Sequence, residues 1–393
     1  MIIVKKEGIF MALRDDLAKL VQSEGEKGPF VSIFMNIHLL DVDGKKDRTT
    51  YKDLVNGARA EFDKRYPEKD WRGYQQRFER VLQEPSLGNN VAKSMAVVVG
   101  QSYTYQYYLD TTVDDNFEIS DTLYILPVVK NSQYDVTYDL LKLDKKSFQL
   151  YQVVDGLIQK VALPEDAPTN AEKALGNQLT GGDEKQKADG RGEAQVFHGH
   201  NPKDDSDKGD ERNYFDLVDE YIHKNYSLRE HHPLILMAVS EDAGEFDKRS
   251  HNQELITDIR AEKVPAVINR KTMQDAIEGV NDQVRALGLD NLKQDMDNAR
   301  SGKRYTDNLD GIVKDAIEGR ISILALAEGA KVPGRITLDQ DVDTTSEDAK
   351  QNNLLNDVAV TVIGFGGHVF IVDPSTMPNG AKATAALRGH QKA

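Results

Sequence analysis

Two histidines one residue apart, His198 and His200, stand between a glycine-rich tip and a run of aspartates in ADGRGEAQVFHGHNPKDDSDKGDER, residues 188–212. Imidazoles at that spacing can face one cation from a strand or loop. Asp204, Asp205 or Asp207 would add oxygens, and the bound metal would activate water for hydrolysis. His-x-His alone supplies neither a third ligand nor a geometry, so a loop without metal is the favoured reading, and no cofactor is expected. The same stretch allows a different chemistry. Lys185, Lys187, Arg191, Lys203 and Lys208 can counter phosphate, Gly192 permits close backbone approach, and Gln195 can orient a water or an ester carbonyl. His198 and His200 would then stack or hydrogen-bond. Lys45, Lys46 and Arg48 form a second, smaller basic cluster.

No catalytic set assembles elsewhere. TGGDEK (180–185) lacks the apolar strands that would make a metal-binding hairpin of it. GFGGH (364–368) follows a helix and precedes a strand, the reverse of a phosphate cradle. It reads as a helix stop and tight turn, with His368 starting the strand. The four tyrosines of SYTYQYYLD (102–110) could stack bases, but a strand with one aromatic face in the core is the favoured reading.

These residues need elements to hold them. An amphipathic helix, FMALRDDLAKLVQSE, opens the chain, with Leu13, Leu17, Leu20 and Val21 at helical spacing. A β-rich run PFVSIFMNIHLL follows, then two helices broken at Pro67, then three strand-like runs: SMAVVVG, YTYQYYLD and DTLYILPVVK. VTYDLLKLD, SFQLYQVVD and LIQKVAL read as antiparallel strands with turns at 144–146 and 155–156. Apolar density then collapses from Pro164 to Arg212, too long a stretch for an idle loop. A helix near Asn213, the strand HPLILMAVS and the helix EDAGEFDKRSHNQEL restore the α/β alternation. From about 266 the pattern is nearly all helix to a break near Ser301-Gly302. The strand RISILALAE, a helix, a glycine stop and a final strand complete it.

Composition sets bounds on function. A length of 393 residues calls for two or three domains. A net charge of −15 argues against a surface given over to nucleic acid, and no DNA partner is expected. The absence of cysteine removes disulfides, thiolate zinc sites and a cysteine nucleophile. No apolar run reaches 18 residues, so neither a membrane span nor a signal peptide is expected, and the protein reads as cytoplasmic.

The order of the motifs VSIFMNIH, RTTYKDLVNGARAEF, FHGHNPKDDSDKGDERNYFDLVDEYI, HPLILMAVSED and LLNDVAVTVIGFGGHVFIVDPSTMPNGAKATAALRG resembles the bacterial proteins similar to archaeo-eukaryotic class 1 release factors, a superfamily that includes the rescue factor Pelota. The resemblance implies an α/β protein of three domains. Residues 1–132 would form an N-terminal α/β domain. Residues 133–265 would form a ribonuclease-H-like middle domain carrying the polar loop 164–212. Residues 266–393 would form an L7Ae-like α/β/α domain. Release factors use a Gly-Gly-Gln tip. Here Gly192-Glu193-Ala194-Gln195 stands in that region, with two side chains restricting the backbone and one adding negative charge. The Asn-Ile-Lys-Ser loop is absent, and Asn36-Ile37-His38 lies in a strand context. The resemblance therefore implies a ribosome-associated factor in stress, rescue or hibernation, without peptidyl-tRNA hydrolysis, whose 181–210 arm contacts ribosomal RNA. Two other readings stand beside it: a metal-dependent hydrolase or nuclease built on His198 and His200, and an adaptor that binds a protein through its C-terminal domain.

Overall fold

The computed structural model describes residues 2–3, 17–18, 21, 28–38, 45–84, 91–134, 136–176, 202–261, 263–337 and 339–389, with the backbone alone at 2–3 and 202–208. The chain begins with β1 (Ile2–Ile3), β2 (Phe30–Asn36), α1 (Lys45–Arg65), α2 (Arg72–Gln83), β3 (Ser94–Val99), β4 (Thr104–Leu109), β5 (Asn116–Ser120) and α3 (Leu126–Ser132). Next come β6 (Tyr138–Leu143), β7 (Phe148–Val154), β8 (Leu157–Lys160), α4 (Ala171–Leu175), α5 (Pro202–Ile222), β9 (Leu234–Met237), α6 (Ser240–Arg249) and β10 (Leu255–Arg260). The last third holds α7 (Arg270–Ala276), α8 (Glu278–Ser301), β11 (Tyr305–Thr306), α9 (Leu309–Ile317) and β12 (Ile321–Ala327). It ends with β13 (Arg335–Ile336), β14 (Val342–Asp343), α10 (Glu347–Gln351), α11 (Leu354–Gly364), β15 (His368–Val372) and β16 (Ala383–Leu387). The fold is mixed α/β with several sheets. It divides into two compact units, one of residues 1–136, 155–157 and 284–393, the other of 137–154 and 158–283.

In the first unit a five-stranded sheet has the order β1-β4-β3-β2-β5. β2 and β3 pair antiparallel with Val31 opposite Val99 and Ile33 opposite Val97. Strand side chains alternate between faces. Val31, Ile33, Met35, Met95, Val97 and Val99 therefore pack under Tyr51, Val55, Ala58 and Phe62 of α1 and Tyr74, Phe78 and Val81 of α2. Phe34 and Ala96 point the other way, into a core shared with Val128 and Val129 of α3 and with α11. Both faces are covered, which is why these strands read as continuous apolar runs.

A second sheet in the same unit has the order β11-β16-β12-β15, with β12 and β15 parallel. Leu324 and Leu326 of β12 face α9 and α11. Ile323, Ala325 and Ala327 face Leu289, Leu292 and Met296 of α8. One strand thus feeds two cores, and helices lie on both faces of this sheet.

The other unit is a sheet in the order β10-β9-β6-β7-β8. β6 and β7 form an antiparallel hairpin, while β9 is parallel to β6 and β10 parallel to β9. Tyr214, Phe215, Val218 and Ile222 of α5 and Phe246 of α6 bury against Leu141, Leu150, Leu234 and Leu236.

Three local expectations change. DTLYILPVVK is not a strand: residues 121–125 are irregular and α3 begins at Leu126, with Pro127 in its first turn. Proline presets helical φ and lacks only an N–H that would have no partner there. The third strand is Asn116–Ser120 instead. The polar stretch is also shorter than 164–212, because α4 interrupts it and α5 starts at Pro202. The first turns of α5 hold no apolar run, and apolar periodicity begins only at Tyr214. Among the tyrosines, Tyr103 is exposed while Tyr105, Tyr107 and Tyr108 are half-buried. At the glycine stop the expectation holds. α11 ends at Gly364, Gly366 takes a left-handed φ of 72°, and His368 is the first residue of β15.

Candidate functional site

The described residues on either side of the long polar segment meet in one place. Asn170 caps α4, its side chain accepting from Lys173 N at 2.8 Å, and Gly176 closes the helix at φ 51°. Leu175 is buried in the same core as Tyr214, Phe215 and Val218 of α5. The Tyr214 hydroxyl donates to Pro168 O at 3.3 Å. α4 and α5, on either side of the polar segment, therefore pack in one core. Lys185, Lys187, Arg191, Gly192, Gln195, His198 and His200 lie outside the described residues. Lys203, Asp204, Asp205 and Lys208 fall on the first turns of α5, where only the backbone is described.

The root of this segment is tied down electrostatically. Lys145, in the β6–β7 turn, reaches Glu211 of α5 at 3.3 Å and Glu241 of α6 at 3.2 Å, with Asp242 at 3.8 Å. Its hydrogen bond to Glu241, with Glu211 beside it, holds the ammonium above its ordinary pKa. Burial raises the Asp242 carboxyl, which Lys145 partly offsets. One lysine thus joins a turn and two helices. Among the described residues no group of three or more His, Cys, Asp or Glu is placed to hold a metal ion.

In the first unit the basic cluster falls on the first turn of α1. Lys45 and Lys46 are exposed. Arg48 is half-buried and donates to Leu82 O at the end of α2. Asp47 is buried and accepts from His38 N and from His38 Nδ1, the latter at 2.8 Å. The Asn36 side chain accepts from Val113 N at 3.2 Å and donates to Val113 O at 2.5 Å. Arg48, His38 and Asn36 thus each hold the fold together locally.

One constellation has no signature in the sequence. A cleft of ≈ 760 Å³ in the first unit is lined by Arg65, Asp121, Arg335, Asn352 and Asp357, among others. Asp357 is buried and accepts from Thr122 Oγ1 at 2.7 Å, Asn352 Nδ2 at 2.9 Å and Ile336 N at 3.0 Å. Burial raises its pKa despite these three donors. Arg335 pairs with Asp121 at 3.0 Å, and Arg65 donates to Ile119 O at 2.9 Å. Asp121, Asp348 and Asp357 are each paired with donors of the fold, the Thr122 hydroxyl among them. The two halves of the cleft, Arg65 with Asp121 and Arg335 with Asn352 and Asp357, stand more than 200 positions apart in the chain. Asp357, Val360 and Thr361 of the lining fall within a motif that the order of motifs singled out.

A unit built on a mixed sheet, with a long segment rooted between α4 and α5, is the frame within which the chain can be classed. Residues 136–283 match the model of bacterial archaeo-eukaryotic release factor family 6, a span nearly coextensive with the second unit. This segment is therefore release-factor-like, similar to the family that the order of the motifs resembles. No curated protein matches the chain. Among solved structures, the archaeal translation termination factor aRF1 is 10% identical, with 96% of this chain and 98% of that chain covered and a TM-score of 0.24. Pelota of Archaeoglobus fulgidus is 12% identical over 75% of this chain and 79% of its own, with a TM-score of 0.34. Archaeal Pelota in a ribosome-bound model with ABCE1 is 11% identical over 76% and 72%, with a TM-score of 0.36.

Proposed function

We propose that this protein is a ribosome-associated, release-factor-like factor that does not hydrolyse peptidyl-tRNA and acts in stress, rescue or hibernation. The observation that carries the reading is the family match over 136–283, which contains both the arm and its root. The arm enters an RNA-lined cavity, with Lys185, Lys187, Arg191, Lys203 and Lys208 countering phosphate and His198 and His200 stacking or hydrogen-bonding. Gly192 and Gln195 sit at its tip, and Glu193 and Ala194 in place of a bare glycine pair keep it from positioning the hydrolytic water. The antiparallel hairpin joined to two parallel strands supports a ribonuclease-H-like middle domain, and the sheet with helices on both faces supports an L7Ae-like C-terminal domain. The three-domain division, with a protein partner on the C-terminal domain and a cytoplasmic location, completes the proposal. Among the described residues no helix is long and apolar enough to cross a membrane.

The test uses purified ribosomes and the full chain with all five arm bases changed to Gln. The slope of log affinity against log salt is expected to flatten by up to about 0.9 for each lost phosphate contact. An unchanged affinity and slope would remove the arm from the interface. Release of peptide from a peptidyl-tRNA–ribosome complex would contradict the absence of hydrolysis.

A further inference from the structure

The charge of this acidic chain is unevenly placed, and its positive part is not the arm. Residues 177–212 carry six Lys and Arg against nine Asp and Glu. Residues 45–84, which hold α1 and α2, carry eleven against eight. That is a net +3, while the rest of the chain carries 39 against 57, a net −18.

The helix geometry gathers part of this charge. α1 turns Tyr51, Val55, Ala58 and Phe62 onto the sheet. The same periodicity puts exposed Lys46, Asp53 and Ala60 opposite that core face, with an exposed flank beside them. Lys45, Thr49, Lys52, Asn56 and Arg59 follow one another along it, and all five are exposed. The three cations are seven residues apart, so they repeat every ~10 Å along one line. The Thr49 hydroxyl donates to Lys45 O at 2.8 Å, so the flank is carried by its three cations, with exposed Asp53 beside it and Asp63 at its end. Arg59 and Asp63 pair at 3.6 Å with both side chains more than half exposed. An exposed pair of this kind contributes about 0–1 kcal/mol and yields readily to a stronger anion. Exposed Arg80 on α2 adds to the same helical layer.

We propose that this outer stripe of α1 is a docking surface for the phosphate backbone of an RNA. The occupant follows from charge complementarity: a regular row of three cations, on a molecule that is otherwise strongly acidic, fits a polyanion of regular charge spacing. The contact reads backbone and not bases, so it carries no sequence preference. The proposal deepens the ribosomal reading and rests on it for the source of the RNA, but not for the surface itself.

The experiment measures binding of a labelled 20-nucleotide single-stranded RNA to the full chain across a salt series. Three proteins are compared: wild type, the double variant Lys52→Glu/Arg59→Glu, and a control that makes the same charge change elsewhere, Lys314→Glu/Lys350→Glu. Wild type is expected to bind, with the stripe variant at least tenfold weaker. Its salt slope should be shallower by about 1.4, two contacts at ~0.7 each. The control should keep affinity and slope within a factor of about two. Equal losses in both variants would overturn the proposal, since net charge alone would account for them. So would absence of wild-type binding at low salt, or a polyglutamate peptide held as tightly as the RNA, which would mark an acidic protein surface as the occupant. If naked RNA binds through the stripe and ribosomes do not, the ribosomal reading fails and this one stands.

Discussion

Asp357 shows how much one buried carboxylate can order. It joins Thr122, beyond the end of β5, to Ile336 of β13 and Asn352 ahead of α11. Burial raises its folded pKa. The folded state therefore binds the proton more readily than the unfolded chain, and this contribution to stability falls as pH rises through the folded value. Comparing Asp357→Asn with wild type isolates it. The stability difference is expected to move in favour of wild type as pH is lowered from 7 toward the ordinary aspartate range. Thermal melts across pH read this, and a difference that stays flat or moves the other way would refute it. Gly156 is a second residue whose identity is dictated. It sits at φ 81°, where a Cβ would collide with the carboxylate of buried Asp110, itself held by Arg285. Gly156→Ala is expected to cost at least about 2 kcal/mol, combining the left-handed backbone with the clash. Urea denaturation would show it, and a change under about 0.5 kcal/mol would mean that the turn relaxes freely.

Among the elements, the root of the arm is set by α4 and α5. Phe215 is fully buried between α5 and the sheet, edge-on to Phe246 at 5.9 Å. Phe215→Ala should cost about 3–5 kcal/mol. Asn170→Ala, which removes the cap of α4, should cost about 1 kcal/mol. Chemical denaturation separates the two, and equal effects would contradict the burial and capping roles assigned here. Much of this level was legible in the sequence, because β2, β3, β6, β7, β9 and β12 are apolar runs bounded by turn residues. The errors have physical causes. Leu126–Ser132 has strand-like composition, but Pro127 and its packing against the sheet make it a helix. The first turns of α5 carry no apolar residue, so periodicity could not reveal them, although the proline and three acids are start signals. The cleft was illegible for a different reason: Arg65, Asp121, Arg335 and Asp357 meet only after two sheets have formed, and spacing along the chain carries no trace of that. The candidate residues of the arm were chosen by type and motif order, and seven of them lie outside the described residues.

At the scale of the molecule, the family segment and the second compact unit nearly coincide, so the polar segment falls in the part of the chain that matches the family model. Net charge of −15 is compatible with a ribosomal partner only if the contacts are local, at the arm and at a patch such as the face of α1. The most direct measurement is sucrose-gradient sedimentation of the tagged protein with ribosomes from growing and from starved cells, for the full chain and for a chain lacking residues 181–210. The full chain is predicted to comigrate with 70S particles and the deleted chain to lose that position while remaining folded. A full-length protein that stays at the top of the gradient under both conditions would contradict the account.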